Sequence, residues 1–376
     1  MKGAFVSMSA KHYGFIGFGL IGGSIARALK ELLEETPTLT AFQYGASPSR
    51  SLTLAKEEGV LDYITTSLSD FSSCNMIFLC APVQKNLEYL AQLKEIIQPD
   101  CLLTDVGSVK GNIHEKVKEL GLEHCFIGGH PMTGSEKTGY EHSSILLLEN
   151  AYYILTPTAQ TNDSTLEEYV ALVKTIGSIP IVLDPAEHDE ITAAISHVPH
   201  IIAAQLVNLI QNAGTLEPKM RLLAAGGFKD ITRIASSSPE IWEHICMSNK
   251  SSICEMLTRY QTSLEEAKQM ILSDEKDNLY HMFDIAGNYR DSIPAKSKGV
   301  LITPYELFVD IKDETGALAL LATLLSLHGI SIKNIGIIHN REFEQGVLRI
   351  EFYDKEAVAK ATKVLETNDY HIYIRN

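Results

Sequence analysis

Positive charge is scarce in this sequence. Lys and Arg number 32 against 47 Asp and Glu, a formal net charge of −15 over 376 residues. Such a chain repels phosphate backbones and anionic bilayers, so neither nucleic acid nor a membrane surface is expected as a partner. An anionic small molecule stays compatible if a local group of Arg, Lys or His receives it. Cysteine is sparse too, with six residues and no C-x-x-C pair. Several of the six sit in apolar runs and read as buried thiols, a usage that fits a reducing cytoplasm. No run approaches the roughly 18 apolar residues expected of a membrane helix. The opening MKGAFVSMSA is too short in its apolar part, and too broken by Ser, for a signal peptide. Low-complexity tracts, charge blocks and internal repeats are not evident.

What is present is ample apolar material, 45% of residues, and a length that at about 150 residues per domain suggests two or three domains. The first piece, residues 1–184, alternates short apolar runs with helix-like stretches. Residues 13–16, 38–44, 75–81, 102–106 and 125–127 read as buried strands, and 151–156 and 180–183 extend the same sheet. Between the first two, Ile21, Ile25, Leu29 and Leu32 recur at helical spacing. Strand–helix–strand alternation gives right-handed crossovers onto a mostly parallel, Rossmann-like α/β sheet. Residues 185–291 read as an all-helical piece suited to substrate binding and dimerisation, with Pro199 expected to kink its first helix. Residues 292–300 read as a linker. Residues 301–376 read strand, helix, strand, strand, helix, strand, the order of a small ferredoxin-like βαββαβ unit.

Gly17, Gly19 and Gly22 form G-x-G-x-x-G directly after a strand and at the opening of a helix. Gly17 permits the tight turn, Gly19 lets a pyrophosphate approach the backbone, and Gly22 allows close helix–strand packing. Leu20 and Ile21 at the helix start, with Ala81, Pro82 and Val83 at the end of strand 75–81, complete the expected cofactor contacts. The carboxylate that usually receives a ribose hydroxyl is missing, because no Asp or Glu occurs between Glu35 and Glu57. Ser47, Ser49 and Arg50 stand there instead. They either receive a 2′-phosphate or merely form a Ser/Pro turn, which leaves the cofactor as NAD or NADP.

A second cluster, GGHPMTGSEKTG over residues 128–139, follows the strand at 125–127. Pro131 keeps His130 extended, which puts the imidazole on a loop at the carboxyl edge of the sheet, where ligands bind. Gly134 and Gly139 have P-loop spacing, but Tyr140 replaces the Lys that motif requires. Asp105, Gly107, Ser108 and Lys110 end the preceding strand, with Ser108 beside the same edge. In the helical piece His197 and His200 lie three apart near Ala193 and Ala204. No third ligand has zinc-motif spacing, so no metal is expected. Lys229 and Arg233 lie one turn apart, and Arg is well shaped to grip a carboxylate, although Asp230 and Arg233 could equally form a surface pair.

The strings GFGLIGGS, DVGSVKG, GGHPMTGSEKTG, HDEITAAISHVPH and GGFKDITRIASSSPEIW, in this order, resemble the prephenate dehydrogenase family over about residues 13–290. The tail, with Asp313 and Gly316 after its first strand, resembles an ACT domain, a small amino-acid-sensing module. The resemblance implies oxidative decarboxylation of prephenate to 4-hydroxyphenylpyruvate on the route to tyrosine, with His130 removing the ring-hydroxyl proton. Ser108 would orient His130 or the hydroxyl, and Arg233 would bind a substrate carboxylate. Ser135 would line the substrate site and His197 would lie nearby, while Glu136, Lys229 and Asp230 would form a polar network at the entrance. A homodimer is implied, and tyrosine as an effector held by Asp313, Gly316 and Asn334. Two other readings stay open: an arogenate dehydrogenase, and a catalytically silent amino-acid sensor.

Overall fold

The computed structural model describes residues 11–45, 47–134, 137–293, 305–311, 314–338, 346–353 and 355–373. It divides into two compact units, Met1–Pro294 and Ala295–Asn376.

In the first unit the strands β1 (His12–Ile16), β2 (Thr38–Phe42), β3 (Tyr63–Thr65), β4 (Met76–Leu79) and β5 (Leu102–Asp105) form a parallel sheet in the order β3-β2-β1-β4-β5. The sheet continues through a single parallel bridge between Leu103 and Phe126. Beyond it, β6 (Ile127–Pro131) pairs antiparallel with β7 (Tyr152–Pro157), and β7 pairs parallel with β8 (Ile179–Val182). Period-two alternation sends Tyr13, Phe15 and Phe78 to one face, against Ile25 and Leu29 of α1 (Leu20–Leu32). It sends Ile16, Ile77 and Leu103 to the other. There they meet Leu90 and Leu93 of α3 (Val83–Leu93), and Ile113 and Val117 of α4 (Gly111–Leu120). The second helix in chain order, α2, spans Arg50–Glu57. Phe15 and Phe78 stack at 5.1 Å in the middle of the first face.

Two strands depart from the sequence reading. β3 is three residues long, too short to register as an apolar run. β6 begins where the strand expected at 125–127 ends, so His130 is a strand residue rather than a loop residue. Gly128, Gly129 and Pro131 obscure the strand because they disfavour one locally. The glycines are there for space. A Cβ on Gly128 would sit 2.3 Å from Thr156 Oγ1, and one on Gly129 would sit 2.7 Å from the Asp105 carbonyl oxygen.

After α5 (Asp163–Thr175) and β8, the helical piece opens with α6 (Pro185–Thr192). A π-helical turn over Ala193–His197 follows, then α7 (Val198–Gln211). The kink expected of Pro199 therefore takes the form of a π-turn just before it, with the proline in the first turn of α7. The run Pro185–Gln211 is long and apolar enough, by length and composition, to cross a membrane. This corrects the expectation that no such run exists: Ile191 to Leu216 contains no charged side chain, and Ser, Thr, Gln, Asn and His disguise its hydropathy. In this fold the helix buries His188, Asp189, Thr192 and His197 within the unit. Further helices, among them Gly226–Thr232, Pro239–Ser248, Lys250–Leu272 and Lys276–Ser292, complete the piece.

In the second unit β9 (Tyr305–Ile311), β10 (Ile332–Ile338), β11 (Gly346–Phe352) and β12 (Ile372–Tyr373) make an antiparallel sheet in the order β10-β11-β9-β12. Helices Ala317–Leu327 and Lys355–Thr367 supply Leu321, Leu325, Ala361 and Leu365 to a core with Leu307, Val309, Leu348 and Ile350. This is the βαββαβ order read from the sequence.

The fold makes one steric demand that is simple to test. In β1 a Cβ on Gly14 would lie 2.3 Å from the ring of Phe71, which is fully buried and cannot swing away. Gly14→Ala should destabilise the first unit by about 1–3 kcal/mol through overpacking, read as a lower urea midpoint at unchanged slope.

Candidate active site

The strand order reverses direction between β1 and β4, and ligands of open α/β sheets sit at such a switch point. Gly17 turns the chain there at φ +89°, a conformation favoured by glycine, and a Cβ on it would lie 2.4 Å from the Ala81 backbone nitrogen. Gly22 packs against the same strand end, where its Cβ would meet the Gly17 carbonyl oxygen at 2.9 Å. Gly19 differs: nothing lies within 4 Å of the position its Cβ would take. It precedes α1, whose first amides, those of Leu20, Ile21 and Gly22, have no acceptor within the helix. Those features fit the diphosphate of a dinucleotide. Ala81, Pro82 and Val83 run from β4 into α3, and Asn86 ties this turn down by donating to the carbonyls of Leu79 and Ala81. Past β2, Ser47 and Arg50 are exposed, whereas Ser49 is engaged as the cap of α2, accepting from the Leu52 amide.

The segment after β6 returns to this turn. Phe18, between the first two glycines, stacks on Tyr140 at 5.4 Å, and the Arg27 guanidinium lies 4.4 Å from the centre of the same ring. Tyr140 donates to Glu58 at 2.7 Å and Arg27 pairs with Glu58 at 2.6 Å. The Tyr140 hydroxyl, then Arg27, hold the Glu58 carboxyl below its usual range.

At the carboxyl edge of β5 lies a buried charge cluster. Lys110 is fully buried and donates to Asp105 Oδ2 at 2.5 Å and to the Gly129 carbonyl at 2.6 Å. Asp105 also accepts from the Gly107 and Gly129 amides. Asp189, brought in by α6, accepts from the Lys110 amide at 2.8 Å and the Gly111 amide at 2.7 Å. It thus closes the open N-terminus of α4. A Cβ on Gly111 would stand 2.9 Å from that carboxylate, so the glycine admits the cap.

His130 lies against this cluster, half-buried. Its Nδ1 is 2.8 Å from His188 Nε2, and His188 Nδ1 is 2.8 Å from Asp189 Oδ1. Asn249 donates to the Asp189 backbone carbonyl at 2.8 Å and to His197 Nδ1 at 3.2 Å. Burial first, then His188, Lys110 and His197, holds the His130 imidazole well below the usual histidine range. Burial likewise pushes His197 down to about 4. Trp242 stacks on His200 at 3.8 Å and meets His197 edge-on, so an indole fills the space beside these two rings.

The structure therefore gathers His130, Lys110 and His197 together. Ser108 is half-buried on the turn between β5 and α4, with no hydrogen bond to His130; among the described residues that imidazole is partnered by His188. Lys229, Asp230 and Arg233 lie on an exposed stretch covering helix Gly226–Thr232 and the 3-10 turn after it. Ser135, Glu136 and Asp313 lie outside the described residues. Gly316 adopts φ +95° as the cap of helix Ala317–Leu327, and Asn334 is exposed on β10. Sequence reasoning missed His188, Asp189 and Asn249. Their only local signal was the adjacent His-Asp pair, and the partners of Asp189 lie 78 and 79 residues away.

Comparison with known proteins places the chain. Residues 25–182 match the family described as prephenate dehydrogenase, nucleotide-binding domain, and residues 184–285 match prephenate dehydrogenase, dimerization domain. The chain is similar to a prephenate dehydrogenase of Bacillus subtilis, 35% identical over 352 residues, 93% of this chain and 94% of the relative. Among solved structures it is similar to prephenate dehydrogenase from A. aeolicus in complex with hydroxyphenyl propionate and NAD+. That match has a TM-score of 0.70 and 31% identity over 77% of this chain and all of the other. It is also similar to Synechocystis arogenate dehydrogenase, with a TM-score of 0.67 and 28% identity over 75% of this chain and 99% of the other. The chain belongs to the prephenate dehydrogenase family.

Proposed function

We propose that this member of the family is an NAD-dependent prephenate dehydrogenase, carrying out oxidative decarboxylation of prephenate to 4-hydroxyphenylpyruvate in tyrosine biosynthesis. The observation that carries the reading is His130: an imidazole kept neutral at the carboxyl edge of the sheet, beside a turn shaped for a dinucleotide. The nicotinamide, when bound, supplies the hydride acceptor. His130 Nε2 accepts the proton of the ring hydroxyl as hydride leaves the same carbon. Loss of carbon dioxide then aromatises the ring, and the imidazolium returns its proton to the resulting oxyanion. Ser108 lies on the neighbouring turn and orients the hydroxyl. Arg233 receives a substrate carboxylate. His197, Lys229 and Asp230 border the same substrate site. NADP is tolerated as well, because no carboxylate follows β2 to repel its 2′-phosphate and Arg50 is exposed there.

Residues 1–184 act as the dinucleotide-binding domain and 185–291 as the substrate and dimerisation domain. The exposed Leu209, Ile241, Met247, Leu264, Phe283 and Tyr289 of the latter support a homodimer. Residues 301–376, beyond the linker, act as an ACT-like regulatory domain that binds tyrosine. Its βαββαβ order supports this, as does the left-handed Gly316 cap, which opens a helix N-terminus towards a ligand carboxylate. Six free cysteines support a cytoplasmic location.

The decisive assay is a matrix of prephenate and arogenate against NAD and NADP, read as reduced-nicotinamide absorbance. Turnover of prephenate with NAD is expected, and turnover of arogenate alone would replace this reading with the arogenate one. His130→Asn should keep the fold and lose roughly 10²–10⁴ in kcat. Its neutral form is the active one and its pKa is lowered, so kcat/KM should stay level from neutral pH down past 6.5 and fall only in more acid solution. A midpoint at or above 6.5 would contradict the assignment. Arg233→Ala should raise KM by about tenfold or more with a smaller change in kcat, since a carboxylate contact remote from the hydride is present before and during the reaction. Tyrosine should inhibit the full chain and not an active form truncated after Lys298. Equal inhibition of both would show that it competes at the catalytic site.

A further inference from the structure

A histidine acts as a base through whichever ring nitrogen lacks a proton, and a neutral imidazole has two choices. Here the neighbours remove the choice. Asp189 is an acceptor, engaged by the Lys110 and Gly111 amides, so the hydrogen between it and His188 belongs to His188 Nδ1. A neutral His188 then has a lone pair at Nε2. The 2.8 Å contact from that atom to His130 Nδ1 is made only if His130 Nδ1 carries the hydrogen. His130 is left with its lone pair at Nε2, the nitrogen turned away from His188.

We propose that His188 and Asp189 are positioning residues for the reaction, a relay that fixes His130 in the Nδ1–H tautomer and steadies the imidazolium once Nε2 has taken a proton. The proposal rests on the reading of His130 as the general base. Neither residue touches substrate in it; both act through His130. The relay is rigid for stated reasons. His188 is fully buried, and its ring meets that of His130 edge-on at 5.1 Å. Thr192 donates to its backbone carbonyl. Asp189 is held by three donors to its carboxylate and by Asn249 on its main chain. Among the described residues, the titratable groups facing His130 are His188 from α6, Lys110 from the β5–α4 turn and His197 from the π-turn, with Asp105 and Asp189 behind them. Burial and Lys110 oppose a positive charge on His130, so Asp189, acting through His188, is the counter-charge that makes protonation at Nε2 accessible.

The test uses the full-length enzyme and two variants. His188→Phe fills the space without an acceptor, and His188→Gln restores an acceptor at similar reach. Loss of the relay should lower kcat of His188→Phe by about 10²-fold, the lower end of acid–base effects, with KM changed by less than about threefold. His188→Gln should recover about tenfold of that loss. Nitrogen-15 spectra of the unliganded parent should show His130 protonated at Nδ1 and bare at Nε2. His130 protonated at Nε2 in the parent would overturn the proposal, as would kcat within about twofold of the parent in both variants. If His188→Phe fails to fold, the parent spectrum and His188→Gln still decide. The tautomer is read without substrate, so a failure of the prephenate reading would show as absent prephenate turnover in the parent, independently of the spectrum.

Discussion

The carboxylate of Asp189 joins the two halves of the first unit. One oxygen accepts from the Lys110 amide and from His188, and the other accepts from the Gly111 amide. A carboxylate this well buried costs several kcal/mol to desolvate, and only several good donors offset that cost. Two of its donors are the otherwise unpaired amides at the start of α4, whose helix dipole also favours a negative charge. One side chain thus caps a helix of the sheet domain, anchors the first helix of the next, and reaches His130 through one intervening ring. Beside it Asp105 and Lys110 make a second buried pair whose ammonium also holds the Gly129 carbonyl of β6. The strand carrying His130 and the helix carrying its partner are fixed by the same few atoms.

The glycine turn and the segment after β6 are tied together in a comparable way. Phe18 belongs to the glycine turn and Tyr140 to the segment after β6, and the two rings stack while Arg27 and Glu58 bracket the tyrosine. The glycine turn and the chain that follows His130 are therefore coupled through this ring pair.

Much of this was legible in the sequence because it is local. Residues 17–22 announce a turn, an approach and a packing contact through three glycines, and the tail announces its order through alternating apolar runs. The strand β6 was misread because Gly128 and Gly129 answer to Thr156, Lys110 and Tyr153, contacts made across the sheet. Pro199 foretold a distortion, while the π-turn that realises it depends on the whole helix. Asp189 was invisible for the same reason, since a cap contributed from 78 residues away leaves no spacing to read. His188 stood within a recognised string, yet its role appears only once its ring is seen between His130 and Asp189.

The claim that Asp189 serves the chemistry through His130 is open to a double-mutant cycle on kcat with Asp189→Asn, His130→Asn and the pair. Asn at 189 would present an amide where His188 needs an acceptor, upsetting the tautomer of both rings. In the parent background Asp189→Asn should cost about 10²-fold or more in kcat. In the His130→Asn background it should cost less than about threefold, because the group it acts through is gone. Equal losses in the two backgrounds would mean that Asp189 supports the fold alone, and would contradict the relay.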